Sequence, residues 1–165
     1  MKSLPMNPRH LLPVLLVLVG CSEPVPRNMD TLVQEGYLFL DRETLKPYSG
    51  LVFELFADDT TKIHKRGQLT DGKQDGTWQM YAEDGVLLTR YTFSNGVEDG
   101  PFLHNWPNGS TGLAGYYSNG MREGPSEQFL PDGEPFESGS YSRGEKCGEW
   151  VEFGRTVTYP PCPNG

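Results

Sequence analysis

Glycine recurs along this chain at a fixed interval, and this period constrains the fold more than any other feature of the sequence. Three series of glycines keep a spacing of 24 residues. Their members are Gly72, Gly96, Gly120 and Gly144, then Gly76, Gly100, Gly124 and Gly148, then Gly85, Gly109 and Gly133. Self-similarity at such an interval is typical of repeat proteins, in which neighbouring units share one continuous core.

Most of these glycines follow Asn or Asp, as in Asp71-Gly72 and Asn95-Gly96. Both residue types tolerate a positive φ, so the dipeptides suit the type I′ turns that join paired antiparallel strands. The segments between them, such as 77–81 and 86–93, are rich in β-branched and aromatic residues, which favour strands. The sequence therefore predicts an all-β fold, an elongated antiparallel meander or solenoid of 24-residue β-hairpins with these glycines at the turns.

Aromatic residues recur in phase with the glycines. The series are Phe93, Tyr117 and Tyr141, then Trp78, Phe102 and Trp150, then Tyr81, Phe129 and Phe153. Ordering one 24-residue unit costs about 36 kcal/mol of conformational entropy, so a single hairpin does not stabilise itself. We expect the aromatic side chains to pack between successive hairpins. Ser126 and Asn105 interrupt two of the series.

The segment 72–85 resembles the MORN-type unit of bacterial repeat proteins, many of which are labelled as antitoxin components. The resemblance covers residues 37–153, with Asn105 at an aromatic position and Val157 in place of the last turn glycine as departures. It implies that the chain is built of MORN-like repeats. It also implies an antitoxin-like, toxin-neutralising role as one alternative function.

The amino terminus has the layout of a secretory signal, with a basic stretch at 1–10 and an apolar stretch at 11–19. Nine residues of helix span about 14 Å, too short for a hydrocarbon core of about 30 Å. Leu18, Val19, Gly20 and Cys21 resemble the lipobox of bacterial lipoproteins. The resemblance implies removal of residues 1–20, attachment of acyl chains such as palmitate to Cys21, and, because Ser22 follows, an outer-membrane location in a Gram-negative cell envelope.

These features divide the chain into a signal peptide (1–20), a lipidated tether (21–30), a repeat domain (31–153) and a proline-rich tail (154–165). Two cysteines, Cys147 and Cys162, remain when Cys21 is lipidated. In an oxidising compartment we expect them to form a disulfide that joins the tail to the last repeat.

The charge of the chain disfavours nucleic acid and anionic membrane surfaces as partners of the repeats. Residues 1–20 hold Lys2 and Arg9 and no acid, so the remainder carries 12 of the 14 basic and all 22 acidic residues, a net charge of −10. Binding to phosphate relies on clustered Lys and Arg that release counterions. The acidity is typical of a solvated surface.

No motif for catalysis or for a cofactor is recognisable, and we expect neither a metal nor a cofactor. His64 and His104 stand 40 residues apart, without the spacing of metal ligands. Clustered turn carboxylates are an alternative Ca²⁺ site, although turn conformation alone explains them. They are Asp71, Asp75, Asp84, Glu98, Asp99, Glu123 and Asp132.

The sequence thus predicts a non-catalytic interaction or scaffold module, anchored to the membrane through its amino-terminal lipid, that binds a protein or another envelope component. The candidate exposed face consists of variable strand residues. They are Gln79, Met80, Leu103, His104, Glu127 and Gln128. The remaining alternative is a small hydrolase acting on envelope glycans, which requires an aromatic cleft with two facing carboxyl groups.

Overall fold

The computed structural model describes residues 25–163, which form strands and one 3₁₀ turn, Met29–Thr31. The strands are β1 (Arg27–Asn28), β2 (Leu32–Glu35), β3 (Leu38–Asp41), β4 (Gly50–Leu55), β5 (Ile63–Thr70), β6 (Lys73–Tyr81), β7 (Leu87–Ser94), β8 (Val97–Glu98), β9 (Gly100–Asn105), β10 (Thr111–Ser118), β11 (Met121–Arg122), β12 (Gly124–Phe129), β13 (Pro135–Ser142), β14 (Glu145–Glu152) and β15 (Arg155–Thr158). The prediction of an all-β fold is confirmed. Within the described residues, no helix is long and apolar enough to cross a membrane.

Thirteen of the strands form one sheet. Its order is β1-β4-β5-β6-β7-β9-β10-β12-β13-β14-β15, with β8 beside β7 and β11 beside β10. All neighbours are antiparallel except β1, which pairs in parallel with β4 at one edge. From β4 onward the sheet follows chain order, so each strand packs beside the one that precedes it, apart from the short strands β8 and β11 that lie off this path. The separate hairpin β2-β3 makes a two-stranded sheet.

The first glycine series occupies two-residue hairpin turns, as the sequence predicts. Asp71 and Gly72 have φ values of 49° and 78°, the positive pair that a type I′ turn requires. Asn95-Gly96 and Asn119-Gly120 repeat this geometry 24 and 48 residues later, and Arg143-Gly144 does so at 72. Phe153-Gly154 forms a further turn of the same kind between β14 and β15, which the period does not predict.

The third glycine series lies in longer loops, which join the strands at the ends opposite to the two-residue turns. In the first of these loops the N–H of Gly85 donates to the carbonyl of Ala82 at 2.9 Å, and Ala82 N–H donates to Val86 at 2.9 Å. Gly85 has φ 88°, whereas Asp84 does not have a positive φ. These are three-residue loops with a left-handed glycine, not the predicted two-residue turns.

The second glycine series lies within or beside strands, and the prediction that it forms turns is wrong. Gln68 is opposite Asp75 whereas Arg66 is opposite Gln79, so three residues of β6 face Gly67 alone. Gly76 adopts φ 69° at this β-bulge. Bulges bend a strand and increase its twist. An Asp-Gly pair suits a bulge as well as a turn, because both need a positive φ at the glycine.

Buried side chains occupy one column across the sheet. Val52, Trp78, Phe102, Ser126 and Trp150 stand at equivalent positions of successive hairpins, and each is at most 4% exposed. The predicted packing of aromatic residues between hairpins is therefore observed for this series. Burial of such large apolar surfaces is the main favourable contribution to folding.

Successive hairpin turns are linked by main-chain hydrogen bonds. The N–H of Gly96 donates to the carbonyl of Gln74 at 2.8 Å, and Gly120 donates to Glu98 at 2.8 Å. Gly144 continues the series by donating to Arg122 at 2.9 Å. These bonds satisfy backbone groups that a free turn would leave to water, so each hairpin fixes the position of the next.

The hairpin β2-β3 closes the amino-terminal end of the core. Leu32 of this hairpin packs with Val52, Leu69 and Trp78 in one buried cluster. The N–H of Phe39 donates to the carbonyl of Gly72 at 2.8 Å and holds the hairpin on the first turn. The first hairpins of the sheet are thereby shielded from water on this side.

The predicted signal peptide, Cys21 and residues 22–24 lie outside the described residues. The sheet extends beyond the repeat domain expected at 31–153, because β1 lies in the expected tether and β15 in the expected tail. A disulfide joins Cys147 to Cys162, as predicted from the cysteine count. Main-chain hydrogen bonds from Tyr159 to Gly148 and from Gly148 to Pro160, both 2.8 Å, hold the tail beside the sheet.

Candidate interaction surface

The large sheet has two different faces. Side chains alternate between the faces along a strand, so Trp78 and Met80 point to one side and Gln79 to the other. We call the side of Trp78 and Trp150 the core face, because the buried column lies on it. The side of Gln79 is the outer face.

The six residues predicted to form one exposed face are divided between these two faces. Gln79, Leu103 and Glu127 lie on the outer face, whereas Met80, His104 and Gln128 lie on the core face. The division follows from the alternation of side chains, since each predicted pair is adjacent in sequence. Only three of the six residues, those on the outer face, therefore share one surface.

A row of directly paired residues crosses the outer face from edge to edge, and we call it the outer row. Each member is opposite the next on the neighbouring strand, so their side chains are adjacent. The row consists of Phe53, Arg66, Gln79, Arg90, Leu103, Ala114, Glu127, Ser138, Val151 and Thr156. All of them are half-buried or exposed.

A groove lies at the amino-terminal end of the outer face, with a volume of about 730 Å³. Its lining includes Leu51, Phe53 and Ile63, and Arg66 stands beside them. The Nε of Arg66 donates to Oε1 of Gln79 at 2.9 Å, which fixes the guanidinium on the sheet. This volume is within the range of about 300–1,000 Å³ that is typical of sites for small molecules.

Aromatic rings fill the centre of the core face. Tyr91 stacks on Phe102 with ring centroids 5.9 Å apart, and Phe102 contacts Tyr117 at 4.8 Å. His104 lies against the same cluster and its Nε2 is hydrogen-bonded to the hydroxyl of Tyr91. Burial, together with the cation of Arg122, lowers the pKa of His104, and burial raises the pKa of Tyr91. Both groups are therefore neutral near pH 7.

Arg122 occupies the space beside Ser126, where the aromatic series is interrupted. Its guanidinium lies 4.3 Å from the ring centre of Tyr141 and 5.4 Å from that of Phe102. Its Nη1 donates to the hydroxyl of Tyr141 at 2.9 Å, and its Nη2 donates to Oγ of Ser126 at 3.1 Å. A cation stacked between two rings replaces the missing aromatic side chain.

The carboxylates that the sequence assigns to turns accept hydrogen bonds from backbone groups. Oδ1 of Asp75 accepts from the N–H of Asn95 at 3.3 Å, and Oε2 of Glu123 accepts from that of Arg143 at 2.8 Å. Asp84 accepts from the N–H of Val86 within its own loop at 3.0 Å. Across residues 25–163 no group of three or more His, Cys, Asp or Glu is arranged to hold a metal ion.

One pair of carboxyl groups faces each other, Glu137 and Glu152, on neighbouring strands beneath Tyr159. Lys146 lies between them, bonded to Glu137 and 2.7 Å from Glu152, and its Nζ is 4.2 Å from the ring centre of Trp150. Hydrogen bonds from Lys146 and Tyr159 lower the pKa of Glu152. Burial alone would lower the pKa of Lys146, but both carboxylates raise it. Lys146 and Glu152 are therefore both ionised at neutral pH.

Comparison of the chain with known protein families, with curated proteins and with solved structures finds no match.

Proposed function

We propose that this protein is a non-catalytic interaction module of the bacterial cell envelope, anchored by a lipid on Cys21 and built of MORN-like repeats. In this proposal the outer face binds another protein or envelope component. The core face and the caps at both ends hold the sheet in shape. Function then resides in a surface and requires no cofactor.

The uncovered outer face is the observation that carries the proposal. Tyr116 and Val151 on this face are 50% and 46% exposed, and Leu51 is 39% exposed. The buried column lies on the other side of the sheet, so these side chains are not needed for the core. Aromatic residues such as Tyr, and Arg, are enriched where proteins bind each other.

The anchor is supported by the sequence at residues 18–21, which resembles a lipobox. Only a few residues separate Cys21 from β1, so the lipid would hold the sheet close to the membrane. Acyl chains contribute about 0.8 kcal/mol per buried methylene, and several chains give stable attachment. Replacing Cys21 with Ser is expected to move the protein from the membrane fraction to the soluble fraction.

The two alternative functions, toxin neutralisation and glycan hydrolysis, have different structural requirements. Neutralisation of a toxin, implied by the MORN resemblance, would use the outer face and is one form of the proposed interaction. A glycan hydrolase would need a carboxyl group that keeps a proton near pH 7. The ionised state of Glu152 beside Lys146 favours the binding proposal over the hydrolase.

Partner capture with two matched triple variants tests the proposal. The outer-face variant carries Gln79→Ala, Leu103→Ala and Glu127→Ala, and the core-face variant carries Met80→Ala, His104→Ala and Gln128→Ala. After chemical crosslinking in intact cells, we expect the outer-face variant to lose the adducts of the wild-type protein. The core-face variant should keep them, provided that thermal unfolding shows both variants folded. Loss of adducts in the core-face variant alone would refute the proposal.

A further inference from the structure

The outer row has a cation on one side of its centre and an anion on the other. Leu103 of β9 and Ala114 of β10 are the two central members, with Arg90 on the strand before them and Glu127 on the strand after them. Neighbouring strands are about 4.8 Å apart, so Arg90 and Glu127 each lie about 7 Å from the midline between β9 and β10. The cation and the anion are thus equidistant from an apolar centre.

Both charged side chains are free to meet a partner. Arg90 and Glu127 are exposed. Within residues 25–163 neither forms an ion pair, since the pairs of the described part of the chain involve other residues. Their own separation, about three strand spacings, is too large for a direct contact between them. A carboxylate on another surface would pair with Arg90, and a cation there would pair with Glu127.

Apolar surface surrounds the midline on the same face. Tyr116 follows Ala114 by two residues on β10 and is 50% exposed. Pro101 is paired with Tyr116 across the strands and is also exposed. An apolar centre that contains an aromatic residue, flanked by exposed charges, is the usual anatomy of a protein–protein interface.

We propose that this central patch binds a second copy of the same chain, outer face to outer face. A two-fold axis that runs along the strands at the midline would place Arg90 of each copy opposite Glu127 of the other. The symmetry forms this ion pair twice and brings the two apolar centres together. Such an interface is isologous, since one patch is complementary to itself.

The flanking residues of the outer row are compatible with this pairing. The same axis places Gln79 opposite Ser138 and Arg66 opposite Val151, so no like charges meet along the row. Neighbouring strands rotate by about 20–25° relative to each other, so two twisted sheets touch closely only at their central strands. The contact therefore depends on β7, β9, β10 and β12, where the charge pair lies.

Charge reversal and rescue test the pairing. All variants are made in the full chain with Cys21→Ser, because this substitution removes the expected lipid as a cause of association. The dimer dissociation constant is measured by sedimentation equilibrium for the wild-type surface, Arg90→Glu, Glu127→Arg and the double variant. We expect each single variant to weaken the dimer at least tenfold, because two ion pairs become repulsive. The double variant should restore the dissociation constant to within about threefold of the wild-type value. Lys73→Glu makes the same charge change beside a hairpin turn, away from the central patch, and should leave the dissociation constant unchanged.

A monomer at all concentrations, or a double variant no better than the single ones, would overturn the pairing. Thermal unfolding of each variant separates loss of association from loss of folding. This inference rests on the proposed use of the outer face, and a photoreactive residue at position 103 in cells distinguishes the two. An adduct with twice the mass of the chain supports both, and an adduct with a different protein retains the interaction module but refutes self-pairing. No adduct refutes both.

Discussion

Arg122 shows how a charged side chain takes the part of an aromatic one in this core. Ser126 is 3% exposed and stands where Trp78, Phe102 and Trp150 stand in other hairpins. A serine leaves much of that space unfilled, and its buried hydroxyl needs a partner. The guanidinium of Arg122 satisfies the hydroxyl and stacks between Phe102 and Tyr141.

Removing this guanidinium should destabilise the protein although no apolar core residue is lost. We expect Arg122→Ala to lower the free energy of unfolding by about 1–3 kcal/mol, because Ser126 loses its partner. The double variant Arg122→Ala/Ser126→Ala should regain part of that loss. Denaturant unfolding measures both. Arg143→Ala, at an exposed turn, is the control, and an effect of Arg122→Ala no larger than that of Arg143→Ala would contradict this account.

His104 should make stability depend on pH. Burial and the Arg122 cation lower its pKa in the folded protein from the usual 6.5. As pH falls, the unfolded chain therefore binds the proton first, so stability is fully present above about pH 6.5 and declines below it. We expect the urea midpoint of the wild-type protein to fall between pH 7.5 and 5.5, and His104→Gln to reduce that fall. An equal fall in both proteins would show that other groups cause it.

At the level of single residues, the sequence predicts those roles that depend on local conformation. Asn95-Gly96 is a turn because this dipeptide accepts the two positive φ angles that a type I′ turn requires. The role of Arg122 depends on rings that come from other strands, and a single position in the repeat does not contain that information. The sequence shows the interruption at Ser126 but does not identify the side chain that compensates for it.

Each buried tryptophan needs a glycine on the preceding strand. A Cβ at Gly67 would lie 2.3 Å from Cδ2 of Trp78, and one at Gly139 would lie 2.2 Å from Cδ2 of Trp150. Gly115 is also close to a ring, since a Cβ there would lie 2.9 Å from Cε1 of Phe102, which is on the strand before it. Gly67, Gly115 and Gly139 follow the same 24-residue interval, with Tyr91 between the first two. Turn dipeptides do not predict this fourth series, since these glycines have no Asn or Asp before them, although the interval itself is present in the sequence.

Gly139→Ala should destabilise the last hairpin by overpacking it. We expect a loss of about 1–3 kcal/mol in the free energy of unfolding, because the methyl group displaces Trp150 from its place. Ser138→Ala, on the same strand and the other face, should have little effect. In a Trp150→Leu background the cost of Gly139→Ala should shrink, since the contact no longer exists. An undiminished cost in that background would mean that backbone freedom, not packing, explains the glycine.

The disulfide should stabilise the carboxy-terminal cap. Cys147 and Cys162 are 15 residues apart, and closing such a loop contributes about 3 kcal/mol. We expect Cys162→Ser and the reduced wild-type protein to show the same lowered stability in denaturant unfolding. Reduction of Cys162→Ser should then change nothing further. Finding Cys147 and Cys162 as free thiols in the exported, non-reduced protein would contradict the cap.

At the level of strands, the period predicts where the chain bends but not how. Asp75-Gly76 and Asp71-Gly72 are the same dipeptide, yet one forms a bulge and the other a hairpin turn. The difference depends on which strands pair, a long-range property that the dipeptide does not encode. The repeat does not predict strands β1 and β15 either. They pair at the two edges of the sheet, and edge pairing uses the backbone groups of only a few residues.

For the molecule as a whole, the sequence predicts a sheet of repeats but not its two faces. The repeat identifies the variable positions at 79–80, 103–104 and 127–128, and alternation assigns one of each pair to each face. Which member lies outward depends on the side that buries Trp78 and Trp150, and the bulges hide this from the sequence pattern. With the register known, the variable positions resolve into one outward and one inward set.

A photoreactive residue placed singly at each of these six positions tests the central claim, that the outer face is the binding surface, most directly. In intact cells we predict crosslinked adducts from positions 79, 103 and 127 and none from 80, 104 and 128, an alternation that only the outer face explains. Adducts of equal yield from both sets, or adducts from 80, 104 and 128 alone, would contradict the account.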